Sequence, residues 1–368
     1  MRVREIVTVL DELAPPALAD PEDNVGLQLG HPEGEVLRLV VALEVDRRVL
    51  DRAAEGVLLV VHHPPIYRPL ASLRADSPPG RAIAALARTG AAVFACHTNY
   101  DVARGGLADW LAGTLGLEEV EVLGPGRPRH LLKLVVFVPR GHEEAIRDAW
   151  AAAGAGCIGR YSHCTFQVAG TGTFLPREGA QPYAGRVGEL ERARELRLET
   201  VVPEDLAGRA VSAMLRVHPY EEVAYDLYPL ANPPAPWAGP GRLGRLSGPR
   251  SLESFAGAVA QALGTEVRVA AGSTGSLTRV AAVPGSGGRF WPEALAAGAE
   301  VLVTGDVDHH RALAAVEAGL SVVDPGHAAS EAGFVPRVAA ALRSRLGGRL
   351  EVEEVPPAKL FVTRGVGC

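Results

Sequence analysis

The chain has 368 residues, of which 47% are hydrophobic and 22% charged, with a formal net charge of −6. This balance excludes a disordered chain and fits two or three folded domains. The acidic excess argues against a nucleic-acid surface, which needs a basic patch, and no apolar run approaches the roughly 20 residues of a membrane span.

The opening stretch Met1-Arg2-Val3-Arg4-Glu5 leads into an amphipathic helix and not a signal peptide. Ile6, Val9, Leu10 and Leu13 recur at helical spacing, and Pro15-Pro16 ends that helix. Residues 23–30 read as a turn and short strand, and residues 37–43 as a second strand. Asp46 suits the N-cap of a helix over 47–55. Gly56-Val57-Leu58-Leu59-Val60-Val61 is apolar throughout, as a strand buried on both faces of a parallel sheet is. Pro64-Pro65 stops it at once. His62 and His63 therefore sit at the carboxyl end of a central strand, where open α/β sheets place ligands. A helix over 81–88, closed by Gly90, precedes a strand over 91–95. That strand runs into Cys96-His97-Thr98-Asn99-Tyr100-Asp101, which brings His97 and Asp101 to the same sheet edge. Strand–helix alternation implies parallel pairing with right-handed crossovers.

Residues 128–232 read differently. Strands are expected over 131–139, 164–168 (continuing or returning at 170–174), 195–202 and 222–230, with helices over 142–152 and 204–217. The order β-α-β-β-α-β is that of a ferredoxin-like α+β module. A proline-rich linker, Asn232-Pro233-Pro234-Ala235-Pro236, closes it. His142, His163 and His218 lack acidic partners at ligand spacing and read as structural.

In residues 233–368, Ser251 caps a helix over 252–263. Strands over 267–270 and 279–283 follow. The second feeds Pro284-Gly285-Ser286-Gly287-Gly288, a turn before a helix from about Pro292 whose N–H groups could cradle an anion, although it matches no phosphate-binding fingerprint. A strand over 300–304 ends in Gly305-Asp306-Val307-Asp308-His309-His310 and a helix. A strand over 319–324 ends in Pro325-Gly326-His327, with Glu331 four residues on.

The outer segments thus look like a pseudo-repeat. Each places adjacent histidines, then a His-x3-acid pair, at strand ends: His62-His63 with His97 and Asp101, and His309-His310 with His327 and Glu331. Residues four apart share a helix face. Imidazoles with carboxylates suit zinc, iron, manganese or nickel. The four cysteines, Cys96, Cys157, Cys164 and Cys368, have no C-x-x-C spacing and fit reduced thiols in a cytoplasm. A convergent set of this kind would hold two ions, with Asp101 or Glu331 bridging. The plainer reading of His309-His310 is an exposed first helical turn.

Asp23-Asn24-Val25-Gly26-Leu27, His62-His63-Pro64, His97-Thr98-Asn99-Tyr100-Asp101, Thr304-Gly305-Asp306 with His309-His310, and Gly326-His327 with Glu331 resemble the GTP cyclohydrolase I type 2 homologue family, the Nif-three-like dinuclear-metal proteins. Tyr161-Ser162-His163-Cys164-Thr165-Phe166 and His218-Pro219-Tyr220-Glu221-Glu222 resemble the insert of its longer bacterial members, which is similar to PII and CutA folds. The resemblance implies an α/β body of two halves, 1–127 and 233–368, interrupted by a PII/CutA-like insert over 128–232. It implies two divalent ions held by His62, His63, Asp101, His327 and Glu331, with Glu331 the first candidate to bridge and His97 a near-site residue, either a proton carrier or a partner behind the ligands. It also implies a homo-hexamer.

Two expectations about activity follow. In the first, hydroxide generated between two metals attacks a nucleotide-like substrate: at C8 of GTP, releasing formate, or at the phosphorus of a phosphate ester, with residues 285–288 holding a phosphate. In the second, the protein is a non-catalytic metal-binding or regulatory assembly whose insert senses a small molecule.

Overall fold

The computed structural model describes residues 1–76, 80–128, 130–159, 161–231, 236–272 and 275–358. Residues 232–235 of the expected linker lie outside the described residues, as does Cys368. The chain divides into two compact units, Met1–Arg127 with Trp237–Cys368, and Pro128–Pro236.

The first stretch contributes α1 (Val3–Leu13), β1 (Gly26–Leu29), β2 (Arg38–Ala42), α2 (Arg47–Leu50), β3 (Val57–Val61), α3 (Gly80–Thr89), β4 (Ala92–Ala95), α4 (Thr98–Val102), α5 (Leu107–Thr114) and β5 (Glu118–Leu123). The short strands β6 (Arg127–Pro128) and β11 (Pro236–Ala238) lie where the chain passes between units. Between them come β7 (Leu131–Pro139), α6 (Glu143–Ala152), β8 (Thr165–Phe174), β9 (Glu191–Pro203), α7 (Ala207–Val217) and β10 (Tyr225–Pro229). The last stretch supplies β12 (Gly241–Arg250), α8 (Leu252–Leu263), β13 (Arg268–Ala270), β14 (Leu277–Ala282), α9 (Trp291–Ala296), β15 (Val301–Val303), α10 (His309–Glu317), β16 (Ser321–Asp324), α11 (His327–Ser330), α12 (Phe334–Leu346) and β17 (Glu351–Glu354).

In the first unit, one mixed sheet has the order β1-β4-β3-β2-β17, parallel except for β1. Every residue of β3 is buried, as its unbroken apolar run requires. Leu58 and Val60 pack on one face with Val3, Ile6 and Leu10 of α1 and Val335 and Val338 of α12. Val57, Leu59 and Val61 pack on the other with Val49 and Leu86. Each such side chain contributes roughly 1.5–3 kcal/mol by leaving water, so the strand that carries His62 and His63 is rigidly held.

The second sheet of this unit, β13-β16-β15-β14-β12-β5, is parallel over β16, β15 and β14 and antiparallel elsewhere. The two sequence halves exchange edge strands. The first-half strand β5 pairs with β12 of the second sheet, and the second-half strand β17 pairs with β2 of the first. A buried guanidinium reinforces the exchange. Arg242 on β12 is 3% exposed, pairs with Asp109 on α5 and donates to the carbonyls of Gly239 and Gly241 at 3.0 and 2.9 Å.

Local differences from expectation have simple causes. The helix after Asp46 is one turn, Arg47–Leu50, and does not reach residue 55. Asp46 caps it by accepting from the Val49 N–H, but the chain must turn back into β3, which it does through Gly56 at φ +78°. The strand expected over 195–202 runs from Glu191 to Pro203 because it pairs along its length with β7 and β8.

In the second unit the sheet order is β10-β7-β9-β8, with every neighbour antiparallel. Helices α6 and α7 cover one face, where Ile146, Trp150, Ala210 and Met214 pack on Leu134, Val136 and Leu198. The chain order is the expected β-α-β-β-α-β.

Candidate metal centre

The site lies at the carboxyl ends of β3, β4 and β16. His62 and His63 follow β3, His97 is the N-cap of the short helix α4 that carries Asp101, and His327 opens α11, with Glu331 at its C-terminal end. The one-turn spacing puts His327 Nε2 3.1 Å from Glu331 Oε1. His62, His63, Asp101, His327 and Glu331 thus come together from three distant parts of the chain, and His97 packs beside them, its ring centroid 5.2 Å from that of His62.

Each imidazole is aimed by what holds its Nδ1. His62 Nδ1 donates to the Cys96 carbonyl at 2.7 Å. His97 Nδ1 meets Asp23 Oδ1 at 2.9 Å, and His327 Nδ1 meets Asp306 Oδ2 at 2.8 Å. His63 Nδ1 faces Glu44 at 3.6 Å. An Nδ1 proton held by a carbonyl or carboxylate leaves Nε2 as the free lone pair, the arrangement that orients histidine ligands toward a cation. Three of these Nε2 atoms gather on one carboxylate. Glu331 is 2% exposed. Its Oε1 lies 3.5 Å from His62 Nε2, and its Oε2 lies 3.1 Å from His63 Nε2.

His63 Nε2 and His327 Nε2 meet at 3.2 Å, but not every atom of the cluster finds a partner. His62 Nε2, Asp101 Oδ1 and Glu331 Oε2 are buried without a hydrogen-bond partner. Three orphaned lone-pair donors in one enclosed spot are costly unless a cation fills the gap. Their spacing fits one. The triads His63, His327, Glu331 and His62, Asp101, Glu331 each bring three potential ligand atoms within 4.8 Å of one another, as do His62, His63 and His97. Glu331 belongs to both carboxylate-containing triads.

The electrostatics agree. Burial raises the Asp101 carboxyl to about 7, with the nearby Glu331 charge adding to the effect against the surrounding histidines. Burial also opposes ionisation of Glu331, but His62, His327 and His63 hold it well below the usual carboxylate range. Burial disfavours the His63 imidazolium, yet Glu331 and Glu44 raise it to about 10. Glu331 raises His327 to about 9, against burial and with help from Asp306. The cluster therefore attracts positive charge, and a divalent ion would satisfy both carboxylates at once.

The structure decides two points that the sequence reading left open. His309 and His310 do not converge on the centre. Asp308 caps α10, which places both on an exposed first turn. The turn at 285–288 is also not an open cradle. The Gly285 N–H donates to Ser330 Oγ at 2.9 Å and the Gly287 N–H to Thr304 Oγ1 at 2.8 Å, so the turn buttresses α11. Gly285, at φ +61°, abuts Glu331 so closely that a Cβ would overlap Oε1. His142, His163 and His218 take no part in a ligand-spaced group among the described residues. Sequence reasoning gave no role to Asp23, Asp306 or Glu44, although the first two lay inside the motifs that carried the resemblance.

The fold and the cluster define an α/β protein whose histidines and carboxylates can hold metal. The family model described as Duf34/NIF3 (NGG1p interacting factor 3) matches residues 1–357, and the chain belongs to that family. A protein of Bacillus subtilis (strain 168) called "GTP cyclohydrolase 1 type 2 homolog" is 43% identical over 331 residues, covering 89% of this chain and 88% of the relative. A Mycobacterium tuberculosis protein of the same name is 40% identical over 357 residues, covering 96% and 94%. The crystal structure of a Bacillus cereus protein related to NIF3 superposes with a TM-score of 0.87 at 37% identity over 99% of both chains. A Staphylococcus aureus protein at 24% identity shares the fold, with a TM-score of 0.67 over 99% of each chain. No helix among the described residues is long and apolar enough to cross a membrane.

Proposed function

We propose that the cluster is a dinuclear divalent-metal centre and that the protein is a metal-dependent hydrolase acting on a nucleotide-like substrate. The observation that carries this reading is the Glu331 carboxylate, shared between the His63–His327 and His62–Asp101 pairs, with its own Oε2 and the His62 Nε2 and Asp101 Oδ1 beside it buried and unpartnered. In this reading His62, His63, Asp101, His327 and Glu331 would hold the ions, with the Glu331 carboxylate common to both carboxylate-containing groups. Divalent ions of zinc, iron, manganese or nickel would supply Lewis acidity and a water acidified toward neutral pH.

The chain's own residues do the rest. Asp23 fixes His97 in the Nδ1–H tautomer, which leaves Nε2 as a base beside His62 and His63. Asp23 is itself held by Thr98, whose N–H donates to Oδ2 at 3.1 Å. His97 is thus pre-oriented to accept a proton from an attacking water and return it to a leaving group. Asp306 orients His327 and the Cys96 carbonyl orients His62, so the ligand rings need not reorganise when charge develops. The relatives' name supports a purine nucleotide as substrate, opened at C8 with release of formate. The motif resemblance supports a cytoplasmic homo-hexamer with a PII-like second unit, to be checked by light scattering on the purified protein.

The test is metal content per chain in wild type and Glu331→Ala, paired with formate release from GTP. About two ions in wild type, clearly fewer in the variant, and metal-dependent formate are expected. Two ions without turnover on any nucleotide would discard the hydrolase and leave a metal-binding regulatory assembly. That second reading is favoured by a cavity in the second unit, remote in sequence from every residue of the cluster. No metal after reconstitution would refute the centre itself.

A further inference from the structure

The unit Pro128–Pro236 carries a half-open pocket of about 520 Å3, within the range of small-molecule sites. Aromatic rings form much of its wall. Tyr220 stands between Phe174 and Tyr183, with centroids 6.2 and 5.7 Å away. Tyr220 is positioned from behind by His218, whose Nδ1 accepts from the Tyr220 N–H and whose Nε2 is held by the Phe137 carbonyl at 3.1 Å.

A carboxylate lies against these rings. Glu195 on β9 is 6% exposed yet lines the cavity. It accepts one hydrogen bond, from the Tyr220 hydroxyl at 2.8 Å. Its Oε2 has no hydrogen-bond partner among the described residues, and it occupies the space that a Cβ at Gly172 would take. A carboxylate with one neutral donor and its second oxygen open to the pocket is placed to meet a cation. Glu221 and Glu222 add negative charge to the lining against the single Arg177. These carboxylates form no ligand-spaced metal group among the described residues. Aromatic faces and an acid in one apolar cavity match a cation with an organic body, bound by cation–π attraction and a charge-assisted contact.

We propose that this cavity binds an organic ammonium ligand, with the cationic head against Glu195 and the apolar body among Phe174, Tyr183 and Tyr220. The site is independent of the metal-centre reading and gives the second unit a ligand of its own. A suitable probe is benzyltrimethylammonium, titrated into the full-length protein by saturation-transfer NMR, with benzyl alcohol as the neutral control and pyrophosphate as the anionic one.

Wild type should bind the ammonium probe at least about tenfold more tightly than benzyl alcohol, and Glu195→Gln should lose about that factor. Tyr183→Leu, at a half-exposed ring outside the buried core, should weaken the probe as well and provides the test if Glu195→Gln fails to fold. Three results would overturn the proposal: no binding by wild type, equal affinity for the neutral control, or displacement by pyrophosphate with loss of the site in Arg177→Ala.

Discussion

Gly285→Ala tests whether Glu331 is held in place for a metal. Gly285 sits at φ +61°, and its missing side chain leaves room for Glu331 Oε1, with His327 Cε1 3.6 Å from where a Cβ would lie. An alanine there has two costs. One is the left-handed backbone, about 1 kcal/mol. The other is displacement of the carboxylate by about 1 Å to reach ordinary contact. Gly264 isolates the first. It ends α8 at φ +62° with nothing within 4 Å of an added Cβ. Both variants should lose the backbone cost of about 1 kcal/mol in urea unfolding of the metal-stripped protein, and Gly285→Ala should lose more through its steric cost. Only Gly285→Ala should lose metal affinity, by about 10–100-fold as for other changes that mis-aim a ligand, or about 1.4–2.8 kcal/mol. The assay is competition for zinc against a chromophoric chelator, with bound metal counted by mass spectrometry. If Gly285→Ala binds metal as tightly as Gly264→Ala, Glu331 is not a ligand whose position matters and the centre has been misassigned.

Other predictions follow from single contacts. Asp109→Ala strands the buried Arg242 guanidinium and should destabilise the protein by about 3–5 kcal/mol, read as a lower urea midpoint; a loss below about 1 kcal/mol would show that Arg242 is compensated by carbonyls alone. Burial works against the Asp23 carboxylate, but His97 and Thr98 hold it at about 2. Because its folded pKa is depressed, its stabilisation of about 2 kcal/mol is complete above the unfolded value near 4 and disappears as pH falls through 2. The stability gap between wild type and Asp23→Asn should therefore narrow from pH 5 to pH 2; a gap that stays constant with pH would contradict the hydrogen-bonding assignment. Cys96 is buried and its thiol is pushed up by burial, whereas Cys157 is exposed. A maleimide should label Cys157 in the native protein and Cys96 only after unfolding, as peptide mapping would show.

The local patterns of the sequence located most of the centre. An apolar run broken by His62-His63-Pro64-Pro65 defines a central strand and its end, and His327 and Glu331 lie one helical turn apart, which is why both readings survive in three dimensions. His309-His310 had the same local pattern as His62-His63 and a different fate, because Asp308 caps a helix there and turns both rings to solvent. Composition does not record which way a cap turns a side chain.

The β5–β12 pairing was not legible either. The edge strand β5 reads Glu-Glu-Val-Glu-Val-Leu with its first four residues exposed, and β12, which lies between β14 and β5, is interrupted by glycines and arginines. Neither reads as an unbroken apolar run, because the pairing is made by the backbone. The sequence by itself therefore determined the chemistry available: which strand ends carry imidazole and carboxylate, and that the cysteines have no metal-ligand spacing. Only the tertiary structure decided which of those groups meet. It exchanged β5 and β17 between the two sheets and aimed four rings through Cys96, Asp23, Asp306 and Glu44. It also set Glu331 against a glycine that has no Cβ to displace it. Such contacts join residues tens to hundreds of positions apart, and no local periodicity encodes them.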